Sequence, residues 1–259
     1  MNATVNAGTV VTDRDLALLR ALVIARVLDC DQVMAICRFS SVRRTNRRLL
    51  KLVRAGLLRR WFVGTEARGV KALYGISPEG MRLIGEQPQG LLAWKQDRVI
   101  TSSQFLAHQQ AVNQVFIQAR YQPLSGEASC ERWLTFREPF STAVPLIPDG
   151  YLEIKQGDAV YPVFLEVDLG TESSKVWRRK VEGYLKFALN GDFERRFHEK
   201  RFRVLVVLNS SRRLDVVRQT IAERTDKLFW LSTQDRLRGE GLLAPIWIRP
   251  KGEEWIPLL

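Results

Sequence analysis

The chain has 259 residues, 46% of them hydrophobic and 9% aromatic, with 40 Lys and Arg against 28 Asp and Glu. That content supports packed cores, excludes a wholly disordered chain, and suits two domains of modest size. Three scattered cysteines, two histidines, no long apolar run and no signal-peptide pattern at Met1–Asn6 exclude a disulfide scaffold, a zinc ribbon and a membrane span, and point to a reducing cytoplasm. The formal net charge of +12 calls for a polyanionic partner, nucleic acid first.

Thr12 with Asp15 forms a capping pattern, so a first helix is expected from Asp13, with Leu16, Leu19, Leu22, Val23 and Leu28 on its apolar stripe. Asp29 or Asp31 caps a short second helix carrying Val33, Met34, Ile36 and Cys37, and Phe39-Ser40-Ser41 makes the turn. Ser41 caps a third helix, Val42 to about Ala55, which Gly56 closes as a left-handed residue. On a helical wheel Val42, Thr45, Leu49, Leu50, Leu52 and Val53 fall on one side. Arg43, Arg44, Arg47, Arg48, Lys51 and Arg54 fall on the other, within an arc of roughly 140°. A solvated face usually alternates sign, whereas every i,i+4 pair here repels, which favours contact with DNA over simple solvation.

Past Gly56 the period changes. Leu57–Val63 and Val70–Ile76 read as strands joined by a hairpin loop, and Pro78 opens a further short helix. Three helices followed by a two-stranded ribbon describe a winged helix-turn-helix, with the third helix in the major groove and Arg68 and Lys71 of the wing at the flanking backbone. The run from Arg48 to Arg60 resembles the helix-to-wing junction of winged-helix DNA-binding proteins.

Glu86–Gly90 is a linker by composition, and Ile100–Tyr121 reads as one long helix in which His108 is a packed polar member. Strands are then expected at Trp133–Arg137, Leu146–Ile154, Val160–Val167, Arg203–Leu208, Leu228–Leu231 and Ile246–Ile248, and helices at Ser173–Leu189 and Leu214–Arg224. That order implies a mixed sheet with helices on its faces.

Asp149 opens one of these strands, and Glu166 and Asp168 share a face at the end of the next. Three converging carboxylates repel unless a divalent cation sits among them, and oxygen ligands suit Mg²⁺ or Mn²⁺. The other reading is a turn at Asp149 with Glu166 and Asp168 paired to nearby Arg. In the following helix Glu172 stands at the N-terminus, and Val176, Lys180, Tyr184 and Phe187 form one stripe, so Lys180 is a charge on an apolar face in need of a carboxylate.

Asp149, Glu166 and Lys180 resemble the PD-(D/E)-x-K phosphodiesterase superfamily. That resemblance implies metal ligation by Asp149 and Glu166, with Asp168 beside them, and catalysis by Lys180 with Glu172. Asp168 stands where the motif's Lys belongs, which leans against catalysis. Thr12–Asp15, the Arg48–Arg60 junction, His108 with Asn113, Pro148-Asp149, and Phe164–Glu172 with Lys180 and Tyr184 together resemble the replication-relaxation proteins of plasmids and mobile elements.

The expected architecture is therefore α+β: a winged helix-turn-helix over residues 1–90, a linking long helix over 91–125, and a mixed α/β nuclease-like domain over 126–259. The expected function is binding of double-stranded DNA in plasmid or mobile-element replication, mobilisation or transcription control. A Mg²⁺-dependent endonuclease and a dimerising interaction module stand as alternatives, and the resemblance leaves a homodimer open.

Overall fold

The computed structural model describes residues 4–5, 9–64, 69–93, 95–100, 104–140 and 144–259. Two compact units divide the chain, Met1–Ile117 and Gln118–Leu259, and the division falls within one helix. The chain is α+β, with mixed sheets.

In the first unit a small hairpin, β1 (Thr4–Val5) and β2 (Thr9–Val10), precedes α1 (Asp13–Ala25). Asp15 starts α1 by accepting the Thr12 amide at 2.7 Å and the Thr12 hydroxyl at 2.6 Å. The helix stops at Ala25, short of the expected Leu28, because Arg26 takes a left-handed φ of 60°. Leu28 and Asp29 instead form β3, and Asp29 caps α2 (Cys30–Cys37) through the Gln32 amide at 2.9 Å. Then come α3 (Val42–Arg54), β4 (Leu58–Gly64), β5 (Val70–Ile76) and α4 (Pro78–Leu83). Gly56, at φ 75°, makes the turn out of α3 that a residue with a Cβ resists.

Short β6 (Val99–Ile100) leads to α5 (Gln104–Tyr121), so Ile100, expected at the start of that helix, belongs to a strand. The sheet order is β3-β5-β4-β6, with β4 and β5 an antiparallel ribbon. Leu19, Leu22, Leu49, Leu52, Leu57 and Trp61 lie in the core beneath it. Buried Asn113 of α5 donates to the carbonyls of Ala25 and Val27, at 3.0 and 2.6 Å, satisfying the backbone where α1 ends.

The second unit is built on a seven-stranded sheet of order β13-β12-β11-β10-β9-β8-β7. An antiparallel meander, β7 (Ser129–Leu134), β8 (Gly150–Gln156) and β9 (Ala159–Asp168), feeds α6 (Ser174–Leu189) and α7 (Asp192–Phe197). Next β10 (Arg203–Leu208) lies parallel to β9, and after α8 (Ser211–Ala222) β11 (Phe229–Thr233) lies parallel to β10. A short α9 (Gln234–Glu240), β12 (Trp247–Ile248) and β13 (Trp255–Ile256) finish the sheet antiparallel. The expected strand starting at Leu146 begins only at Gly150, since Pro148 has no amide to give the ladder.

One sheet face packs against α6 and α8 through Phe164, Val204, Val206, Phe229 and Leu231, with Trp177, Val181, Tyr184 and Phe187 from α6. The sheet-facing stripe of α6 thus starts at Trp177, one position on from the expected Val176, and Lys180 lies at its edge, 18% exposed.

Candidate functional site

Among the cations assigned to DNA, Arg43, Arg44, Arg47, Lys51 and Arg54 are exposed along one face of α3. None of them has a carboxylate partner among the described residues. Beneath them Thr45, Leu49, Leu52 and Val53 are buried, while Val42, in the first turn, is exposed.

Arg48 departs from the set. Its guanidinium turns inward to Asp15, with Nε 2.8 Å from Oδ1, and a second nitrogen reaches the Val10 carbonyl at 2.7 Å. It lies at the end of the basic arc nearest the apolar side, where buried Asp15 is within reach. Burial works to raise the Asp15 carboxyl, but Arg48 and Thr12 outweigh it and hold the pKa below the usual range. Lys71 of the ribbon is likewise committed: Nζ is 2.8 Å from Asp29 and 3.4 Å from Asp31, at the start of α2. Arg68 lies outside the described residues.

At the carboxyl end of β9, Glu166 and Asp168 both point toward α6, as i,i+2 residues of a strand should. Glu166 is 1% exposed and accepts the Tyr184 hydroxyl at 2.6 Å and the Lys180 ammonium at 2.7 Å. Lys180 also donates to Glu172 at 2.6 Å, so one ammonium bridges the strand and the loop that opens α6. Burial pushes the Glu166 carboxyl up to about 7 against the pull of Lys180 and Tyr184. Burial would lower Lys180, but Glu166 and Glu172 outweigh it and its pKa is raised.

Asp168 belongs to a separate network. One oxygen accepts the amides of Gly170, at 2.7 Å, and Thr171, at 3.2 Å. The other accepts the Trp177 indole at 2.7 Å and Nε of Arg213 at 3.0 Å. Arg213, from α8, also donates to the Glu172 carbonyl. Burial favours the neutral acid, yet Trp177 and Arg213 dominate and keep Asp168 below the usual carboxylate range. Gly170, at φ 88°, makes the turn that brings the Gly170 and Thr171 amides onto Asp168. Directly before the neighbouring strand β8, Asp149 accepts the Val167 amide at 2.7 Å.

Asp149 lies close enough to Glu166 to help raise its carboxyl, but the expected convergence of Asp149, Glu166 and Asp168 on one ion is not found. Among the described residues no group of three or more His, Cys, Asp or Glu is placed to hold a metal. The donor chemistry agrees: both Glu166 oxygens are engaged by Lys180 and Tyr184, and both Asp168 oxygens by four donors. Mg²⁺ or Mn²⁺ does not fit this arrangement, in which the Lys180 ammonium takes the cation's place between Glu166 and Glu172. Lys180 and Glu166 are legible from their spacing, whereas Arg213 and Trp177 are not, because Arg213 is one of many surface-type arginines and Trp177 reads as an ordinary core residue.

No helix among the described residues is long and apolar enough to cross a membrane. No curated protein matches the chain. Among solved structures it is similar to the restriction endonuclease FokI, at 10% identity and a TM-score of 0.30, covering 86% of this chain and 42% of that one. A likeness that loose carries no argument about either unit, and the chain spans less than half of that protein's length. The replication-relaxation pattern, by contrast, matches residues 19–224, running from α1 through the Glu166 and Asp168 networks to just past the end of α8, and the chain belongs to the replication-relaxation family.

Proposed function

We propose that this protein binds double-stranded DNA in the replication or mobilisation of a plasmid or mobile element. The first unit is a winged helix-turn-helix, with α3 as recognition helix and the β4–β5 ribbon as wing. The observation that carries this is the uncompensated basic face of α3: five exposed cations, no carboxylate partner among the described residues, and an apolar underside that fixes the helix. A surface helix without an anionic partner gains nothing from that pattern.

The second unit is a nuclease-like fold whose acidic strand end is neutralised from within. The support is the order of parts, Asp149 just ahead of one strand, Glu166 on the next and Lys180 on the following helix, together with the ammonium seated between carboxylates. Hydrolysis through a divalent ion would require Lys180 to leave Glu166, so the endonuclease reading ranks second.

Gel shifts on a preferred site test the reading. Arg47→Ala should cost about 1–3 kcal/mol and relax specificity, as loss of a base-edge contact does. Lys51→Ala should weaken binding to all DNA alike and flatten the salt slope by about one. If neutralising Arg43, Arg44, Arg47, Lys51 and Arg54 together leaves affinity unchanged, α3 is not the reading helix. Incubating supercoiled plasmid with the protein and Mg²⁺ addresses the second reading directly, since nicking lost in Lys180→Ala would support it.

A further inference from the structure

On the sheet face turned away from α6 and α8, four side chains meet outside both networks described above. Phe202, Val204 and Phe229 face the helices, so Arg203 and Trp230, beside them in the sequence, face the other way. Arg203 lies over the rings of Tyr161, at 4.9 Å, and Trp230, at 5.0 Å, and Arg249 lies over Trp230 at 4.0 Å.

Neither arginine forms an ion pair among the described residues, and the Asp226 carboxylate acts on Arg249 only from beyond ion-pair distance. Arg203 donates to the Leu258 carbonyl at 2.5 Å and Arg249 to the Asp226 carbonyl at 2.5 Å. A guanidinium has five N–H donors, so most remain unused. Nε of Arg249 is shielded from solvent and has no hydrogen-bond partner. Burial, and for Arg203 repulsion from Arg249, lowers the pKa of each. Two like charges, one on each side of the strand that carries Trp230, partly desolvated and held by aromatic rings, form an arrangement that an anion beside them would relieve.

We propose that Arg203 and Arg249 form an anion site that takes a phosphate group, held by their spare N–H donors, with Trp230 and Tyr161 fixing the two guanidinium planes. Planar forks held in place match the oxygens of phosphate. The phosphate comes either from a nucleic-acid backbone or from the free ion. This site is independent of α3 and would give the second unit its own grip on a strand.

The test uses the full chain and inorganic phosphate, with sodium chloride at matched ionic strength as reference, because phosphate also stabilises proteins without binding a site. The expected result is a melting temperature raised by phosphate beyond chloride in the wild type, through linkage to the native state. That excess should be lost in Arg203→Gln and in Arg249→Gln. Should either fail to fold, Arg203→Lys keeps the charge without the fork and should show a reduced excess. A wild type with no excess over chloride, or an excess that survives in the folded variants, overturns the proposal.

Titration with a short single-stranded oligonucleotide separates the two sources. A salt slope lowered by about 0.7 in Arg203→Gln assigns the phosphate to a strand. An unchanged slope, with the phosphate response still lost, assigns it to the free ion. A variant with the five α3 cations neutralised should keep the phosphate response, so failure here and failure of the DNA-reading helix are distinguishable.

Discussion

Replacing Lys180 by Met leaves the Glu166 carboxylate, 1% exposed, without its ammonium. In the wild type burial raises that carboxyl from 4.5 to about 7. Its folded pKa lies above its unfolded one, so its contribution to stability is fully present below the unfolded pKa, declines as pH rises, and levels off above the folded pKa. The rise from 4.5 to about 7 corresponds to a total decline of roughly 3 kcal/mol. Without Lys180 the folded protein must keep Glu166 protonated, and the decline continues at about 1.4 kcal/mol per pH unit where the wild type has levelled. At about pH 8.5 this alone separates the two by about 2 kcal/mol, somewhat below the roughly 3–5 kcal/mol typical of breaking a buried pair. Urea unfolding of both proteins from about pH 5.5 to 8.5 measures it. Adding Glu166→Gln to Lys180→Met should flatten the pH dependence and recover part of the loss. Parallel curves for the single variant and the wild type across that range would refute the reasoning.

Arg48→Met should cost roughly 3 kcal/mol of stability, because it strands Asp15, yet leave the salt slope of DNA binding unchanged. A double-mutant cycle with Asp15→Asn reads the coupling, and an additive cycle would return Arg48 to the DNA-facing set. Asp168→Asn should be costly at neutral pH, since Arg213 is only 15% exposed and loses its counter-charge. Because the folded pKa of Asp168 is depressed, the wild-type advantage should fade as pH drops through that folded value, and acid unfolding curves that do not converge would argue against it. Millimolar Mn²⁺ should shift the melting temperature of wild type and Glu166→Gln equally, and a rise specific to wild type would reinstate the metal reading.

Much of this architecture is written in local patterns. The caps at Thr12 and Asp29, the glycine after α3, and the change from helical to alternating period at Leu58 place the starts of α1 and α2, the end of α3 and the start of β4 within a residue or two. The strand pair ending in Glu166 and Asp168, and Lys180 as a charge in need of a partner, were legible from spacing. What spacing does not carry is which partner a long side chain selects. Arg48 belongs to the basic arc by angle, yet Asp15, distant in sequence, captures it. Asp168 shares a strand face with Glu166, but Trp177 and Arg213 converge on it from two helices, one after β9 and one after β10. Tiny strands such as β3 and β6 exist only because a longer neighbour offers them a ladder, so they leave no periodic trace.

The clasp between Arg48 and Asp15 bears on the kinetics of encounter. If α3 reads DNA as proposed, this contact and the capping bonds of Thr12, made inside the free protein, set the rotation of α3 about its axis before any DNA arrives. Little backbone ordering is then left to occur on the duplex, and binding loses correspondingly less conformational entropy. Association should run as a single salt-steered step, without a slow folding phase. The heat-capacity change should reflect only the surface covered in the groove, well short of that seen when a disordered reading segment folds onto its target.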